Sequence, residues 1–363
     1  MQFIDLQRQY QLYKEEFQEE IEKVLSSSRY ILGPAVNELE NEMAAYVGVK
    51  HVVGCSSGTD ALLLALLALN LRPGDEVIVP DFTFFATAET VSFLGGTPVF
   101  ADVLPDTLNL DPNQVEKRIT LKTRGVIAVS LYGQCADFDK LSGIAKRHKI
   151  FLIEDAAQSF GATYKGRMSG TLCELATTSF YPAKPLGAYG DAGALFTNDD
   201  KIAERLRILL NHGQPATYRH RMIGINGRLD TLQAAILKVK LRHFSEELDR
   251  RQEAAGWYDT ELDSVVSIPT VKEGNRSSWA QYTVRSPKRT LLTEKLKERG
   301  IPTAIHYPTP LHRQEVYLNT GISDEGYPES IKASEEVFSL PMHPFLTQKE
   351  VKEVAAAMRE ALQ

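Results

Sequence analysis

The fold turns on one stretch, Ile150-Phe151-Leu152-Ile153-Glu154-Asp155-Ala156-Ala157-Gln158. Four consecutive apolar residues lead into two acids, then into small residues and an amide. An unbroken apolar run of this length suits a strand buried on both faces, as in a parallel sheet. The two acids then fall at the carboxyl edge of that sheet, where open α/β folds bind their ligands. Asp155 is the candidate for a ligand-facing carboxylate; either acid could instead cap the segment that follows.

Runs of the same kind lie on both sides of this stretch. His51–Gly54, Glu76–Pro80, Thr97–Ala101 and Thr123–Ser130 precede it, and Ala176–Phe180 and Ala192–Thr197 follow. Helical stretches separate them. Strands alternating with helices imply crossover units and a mostly parallel central sheet covered on both faces. Leu6–Leu25 has the spacing of one amphipathic helix, and Pro34 opens a second through Val47. The pattern from Arg228 to Leu262 is one long helix leading out of the sheet region. A strand (Trp279–Arg285), a helix (Thr290–Arg299), a strand (Pro302–His306) and a terminal helix (Thr347–Leu362) follow, with Gly274–Ser278 as a loop. The expected division is a large domain over 1–240 and a small C-terminal α/β domain over 241–363.

The bulk properties narrow the function. Of 363 residues, 43% are hydrophobic and 24% charged, with a formal net charge of -6. This balance without a basic stripe gives no support for nucleic-acid binding. The most apolar stretch, Ala61 to Leu69, is far too short for a membrane span, and the N-terminus lacks the pattern of a signal peptide. Cys55, Cys135 and Cys173 are odd in number and scattered, as expected of reduced thiols in a cytoplasmic protein. His148, His212, His220 and His306 have no metal-ligand spacing, so no metal is expected.

Two further motifs carry chemistry. Ser56-Ser57-Gly58-Thr59-Asp60 enters the apolar helix that begins at Ala61. Such a turn offers free N–H groups and hydroxyls at the positive end of a helix dipole, which suits a phosphate; it equally suits a plain helix cap. Thr178-Ser179-Phe180-Tyr181-Pro182-Ala183-Lys184-Pro185-Leu186-Gly187-Ala188-Tyr189-Gly190-Asp191-Ala192-Gly193-Ala194-Leu195-Phe196-Thr197 then takes a strand into a lysine within a Gly-rich loop that returns into another strand. Apolar neighbours desolvate that amine, lower its pKa and free it to form a Schiff base. The glycines allow the backbone to pass close to a ligand. A phosphate cradle, a strand-end carboxylate and a desolvated lysine together meet the needs of pyridoxal 5'-phosphate (PLP).

With these motifs in place, the sequence resembles the DegT/DnrJ/EryC1/StrS sugar aminotransferases, fold-type-I PLP-dependent transferases of the aspartate aminotransferase-like kind. The resemblance runs from Phe3-Ile4-Asp5-Leu6 to Leu340-Pro341-Met342-His343-Pro344. It is carried by Ser57–Leu62, Pro80–Phe84, Glu154–Gln158, Ser179–Lys184 and Gly224–Ala235. It implies Lys184 as the Schiff-base lysine and proton shuttle, and Asp155 as partner of the pyridine nitrogen. Gln158 would reach the ring hydroxyl, Phe84 would stack on the ring, and Gly58, Thr59 and Ser179 would hold the phosphate. Asn226 would come from the second subunit of a homodimer with shared sites. Arg228, His306 and Tyr307, again from the partner chain, would contact a sugar nucleotide.

Within the family the likeness is greatest to members that aminate carbon 3 of UDP-2-acetamido-3-oxo-glucuronic acid with L-glutamate, for O-antigen polysaccharide. The stretches Leu131–Asp139, Ala157–Ala162 and Thr303–Pro308 carry it. The alternative is another nucleotide-linked keto-sugar, such as a dTDP-3- or 4-keto-6-deoxyhexose. Ser130 and the pair Pro185-Leu186 depart from the family pattern.

Overall fold

Seven of the apolar runs assemble into one sheet. The structure, a computed structural model, describes residues 1–363 apart from positions 319 and 320. The strands are β1 (His51–Cys55), β2 (Glu76–Pro80), β3 (Thr97–Ala101), β4 (Thr123–Val129), β5 (Phe151–Asp155), the short β6 (Thr163–Tyr164) and β7 (Arg167–Met168), β8 (Leu175–Ser179) and β9 (Gly193–Thr197). The sheet order is β1-β9-β8-β5-β4-β2-β3. All neighbours are parallel except β9, which runs antiparallel to both β1 and β8. The mostly parallel α/β sheet expected from the alternation is therefore present.

Strand side chains alternate between two buried layers, because successive residues point to opposite faces. On one face Val53, Val77, Val79, Ile127, Ile153 and Leu195 pack against the helices Gly58–Ala68, Ala86–Phe93 and Asp200–Leu209. On the other, Ile78, Val126, Ala128 and Leu152 meet the helix Phe138–His148, and Val52, Ala194 and Phe196 meet the helices Pro34–Val47 and Thr231–Leu262. Phe160 is the hub of this second layer. Its ring lies 5.5–5.8 Å from those of Tyr46, Phe180, Phe196 and Phe244.

The C-terminal part packs around its own cluster, which includes Tyr258, Tyr282, Phe338 and Val354. The helix Thr231–Leu262 serves both regions. Ala234, Leu237, Phe244 and Leu248 belong to the sheet-side layer, and Ala254, Ala255, Tyr258 and Leu262 to the C-terminal cluster.

Several expectations need correction. Leu6–Leu25 is not one helix but two, Leu6–Leu12 and Lys14–Ser27, broken at Tyr13. The Tyr13 ring stacks on His243 at 3.9 Å, a tertiary contact that no local pattern encodes. Pro302–His306 is not a strand: only Ala304 pairs, with Ser339. Pro302 has no N–H to offer a ladder. The antiparallel strands of this region are β11 (Tyr282–Arg285) and β12 (Val337–Leu340), the second of which the sequence did not mark. Asn275–Arg276, expected as loop, forms β10 against β6.

Removing the Phe160 ring would leave a void among four other rings. Phe160→Ala is expected to lower unfolding free energy by about 3–5 kcal/mol, measured by urea denaturation of the cofactor-free protein.

Candidate active site

A cavity of about 530 Å³ opens at the carboxyl end of the parallel strands. Its lining includes the helix start Ser57–Thr59, the turn after β2 (Thr83, Phe84), the turn after β5 (Asp155, Gln158), and Ser179 and Lys184 beyond β8. His306 and Tyr307 close it from the C-terminal part of the chain.

The first corner is built around a helix cap. Ser57 caps the helix Gly58–Ala68 by accepting a hydrogen bond from Asp60 N–H at 3.0 Å. Cap and anion site are thus compatible, because the N–H groups of a helix's first turn have no intrahelical acceptors. A Cβ on Gly58 would stand 2.5 Å from Ser179 Cβ, and one on Gly193 would stand 2.4 Å from the Ser57 carbonyl oxygen. The glycines here bring helix and strand ends together around the corner. Gly187 likewise closes the lysine loop on itself, since its Cβ would meet the Pro182 carbonyl at 2.5 Å. Gly187 and Gly193 therefore serve close packing within the protein.

The alternation along β5 separates its two acids. Glu154 follows Leu152 onto the rear face, where it accepts hydrogen bonds from Ser169 Oγ (2.7 Å), Gly170 N (2.9 Å) and Leu172 N (3.0 Å). Burial pushes its pKa up to about 7 against the pull of those donors. Asp155 follows Ile153 onto the cavity face and is 6% exposed. It accepts a hydrogen bond from Ala157 N at 3.0 Å. Burial raises its pKa, opposed by that bond and by the charge of Lys184.

Lys184 reaches the same cavity from the turn after β8. Burial lowers its pKa, and Asp155 resists the shift. Carboxylate and amine, distant in sequence, thus share one buried space. Gln158 is fixed by accepting from Tyr132 N at 2.8 Å and donates through Nε2 to the Tyr307 hydroxyl at 3.3 Å. His306 Nδ1 pairs with Ser339 Oγ at 3.0 Å, and the Tyr132 hydroxyl donates to the His306 carbonyl. Burial and the nearby Lys184 lower the His306 pKa. Phe84 forms the open side; it is 56% exposed, with its ring 6.2 Å from that of Tyr307.

The structure thus brings together Gly58, Thr59, Phe84, Asp155, Gln158, Ser179 and Lys184. It also places His306 and Tyr307 in the cavity of this same chain, where the resemblance had implied supply by the partner. Asn226 and Arg228 lie outside it. Asn226 pairs in a bridge with Asn211, and Arg228 donates to Asn211 Oδ1 at 2.6 Å while its Nε is buried without a partner. Asp191 and Gln281 also line the cavity; Asp191 lies inside the lysine-loop motif without having been singled out there, and Gln281 lies within the expected strand Trp279–Arg285. Among the described residues, no group of His, Cys, Asp and Glu side chains could hold a metal ion, and no helix is long and apolar enough to cross a membrane.

A mostly parallel α/β sheet with an amine, a carboxylate and an anion corner at its carboxyl edge defines an enzyme built around a phosphorylated carbonyl cofactor. The sequence profile of the DegT/DnrJ/EryC1/StrS aminotransferase family matches residues 11–359, and the chain belongs to that family. It is 49% identical over 361 residues to a UDP-2-acetamido-2-deoxy-3-oxo-D-glucuronate aminotransferase of Pseudomonas aeruginosa, covering 99% of each chain. Among solved structures, a DegT DnrJ EryC1 StrS aminotransferase from Brucella abortus matches with a TM-score of 0.96 at 42% identity, covering 99% of each chain. NtdA from Bacillus subtilis, solved with bound cofactor PMP, matches with a TM-score of 0.89 at 30% identity, over 96% of this chain and 81% of that one. The donor set described above fits such a cofactor: a desolvated amine, a buried carboxylate and a helix N-terminus with free first-turn N–H groups beside Ser179.

Gly58→Ala, whose added Cβ must displace Ser179, is expected to weaken cofactor binding roughly tenfold or more. Titration of the purified protein with PLP, followed by absorbance and circular dichroism, checks this.

Proposed function

We propose that this protein transfers an amino group from L-glutamate to the 3-keto carbon of UDP-2-acetamido-3-oxo-glucuronic acid, with PLP as cofactor. The observation that carries the chemistry is the meeting of Asp155 and Lys184 in one cavity. The identity to the Pseudomonas aeruginosa relative supports the substrate. The product would enter cytoplasmic synthesis of diamino-uronic acids for cell-surface polysaccharide such as O-antigen.

Bound in the cavity, PLP supplies a carbonyl that takes up an amine and a ring that accepts the electron pair released when a C–H bond breaks. The chain's own residues do the rest. Lys184 would hold the cofactor through its amine, whose lowered pKa keeps a neutral fraction available. Displaced by the amino donor, the Lys184 nitrogen takes the proton from the donor's α-carbon. In the second half-reaction it returns a proton to carbon 3 of the sugar. The Asp155 carboxylate would keep the pyridine nitrogen protonated, which favours electron flow into the ring. Gly58, Thr59 and Ser179 would hold the phosphate, Gln158 would donate to the ring oxygen, and Phe84 would cover one face. His306 and Tyr307 position the sugar from within the chain. Asn226 and Arg228, outside the cavity here, complete the neighbouring site of a homodimer.

Lys184→Ala should abolish both half-reactions, read as glutamate-dependent loss of the cofactor's absorbance and keto-sugar-dependent recovery. Ordinary amino exchange by that variant would refute the mechanism. A panel of UDP- and dTDP-linked keto-sugars separates the substrate reading from the chemistry. Shared sites make a further claim: an equimolar mixture of Lys184→Ala and Arg228→Ala chains, each inactive alone, should recover about a quarter of wild-type activity after subunit exchange, since half of the dimers are then mixed and each carries one intact site of two. No recovery after subunit exchange would mean that each chain is self-sufficient.

A further inference from the structure

The imidazole of His312 is buried between two carboxylates. Its Nδ1 lies 2.7 Å from Asp81 Oδ2 and its Nε2 lies 3.0 Å from Asp324 Oδ1. Asp81 is 0% exposed and His312 3%. A neutral imidazole has one N–H, so it would set a lone pair against one of these carboxylates; only the imidazolium donates to both. The surrounding charges agree. Arg313 pairs with Asp324 through Nε (3.1 Å) and Nη2 (2.7 Å). Asp81, Asp324 and Arg313 alone leave one negative charge uncompensated, which a protonated His312 cancels.

The other neighbours are accounted for. The His312 ring stacks on Tyr327 at 4.4 Å, and the Arg118 guanidinium lies 5.2 Å from the centre of the Tyr327 ring. Asp102 is taken up by the N–H groups of Glu329 and Ser330 and by the Ser330 hydroxyl. Glu335 acts on Arg313 from a distance. Among these described groups, Asp81 and Asp324 alone contact the imidazole nitrogens.

The clamp joins two segments that meet only in space. Asp81 directly follows β2 and leads in three residues to Phe84; its carbonyl also accepts from Leu311 N at 2.8 Å, and its Oδ1 from His312 N at 2.9 Å. His312 lies five residues beyond Tyr307. Phe84 and Tyr307 both line the cavity, and the buried Phe82 sets its ring 6.1 Å from that of Tyr307.

We propose that His312, held as an imidazolium between Asp81 and Asp324, is a positioning residue that fixes the Phe84 and Tyr307 walls of the cofactor cavity against each other. Burial alone would lower its pKa, but the two carboxylates outweigh burial and raise it. A raised histidine pKa gives a contribution that is complete below the ordinary value of about 6.5 and is lost as pH rises through the raised one. The clamp therefore loosens on the alkaline side.

The test reads the ring directly and then its effect. In ¹⁵N-histidine-labelled holoenzyme at pH 7, both His312 ring nitrogens should be protonated. The resonance is assigned by its loss in His312→Gln or, if that variant does not fold, by its shift in Asp324→Asn. One unprotonated nitrogen at pH 7 overturns the proposal. Asp324 is exposed and outside the cavity, so Asp324→Asn should match wild-type PLP affinity at pH 6 within about twofold. As pH rises it should lose affinity about one pH unit earlier than wild type. Coincident affinity profiles overturn the positioning role even if the ring is charged. The Lys184 contribution to the pH profile is common to both proteins and cancels in the comparison. Because the measurement uses PLP and no sugar, it stands or falls independently of the proposed substrate.

Discussion

Two adjacent carboxylates buried at the end of one strand set the terms for the rest of this molecule. Charged groups leave water only when something replaces its hydrogen bonds. For Glu154 the replacement comes from Ser169, Gly170 and Leu172, so the segment after β7 must fold back under the sheet. For Asp155 it comes from Ala157 N–H and the charge of Lys184. The pleat of β5 makes the division unavoidable: neighbouring side chains cannot share a face. One acid therefore anchors the scaffold and the other faces the chemistry.

The same economy runs through the opposite wall. Ser57 caps a helix with its hydroxyl, and that cap leaves the first N–H groups of the helix free for an anion. Gly58 and Gly193 allow backbone and side chain to approach where any Cβ would collide. These contacts are local in space but join β1, β8 and β9, three strands that only the sheet order brings side by side.

How far the sequence revealed this depends on the kind of contact. Parallel strands buried on both faces announce themselves as apolar runs, and β2 and β3 fall where the pattern put them, with the other five sheet strands differing by one residue at one or both ends. The lysine, the acid and the helix start sit inside contiguous motifs, so their chemistry was readable. What was not readable rests on side chains that meet only in three dimensions. The break at Tyr13 follows from stacking on His243, and β12 exists because Tyr282–Arg285 offers it a partner. Gln281 enters the cavity from the edge of that strand with no signature of its own. His306 and Tyr307 line the cavity of their own chain, a placement that no motif encodes, because a motif fixes what a residue is and not which subunit's cavity it enters.

The helix Thr231–Leu262 is about 48 Å long at 1.5 Å per residue. It has buried residues along both halves, in two different cores. A continuous rod shared in this way is a poor hinge: swinging the C-terminal part outward would mean bending the rod or tearing one end from its packing. Traffic of bulky reactants must then pass through the mouth beside Phe84 and Tyr181, whose half-bare rings stand at the rim like doorposts. Turnover in such a molecule would be governed by the movement of a few side chains at that threshold, while the frame around them stays still.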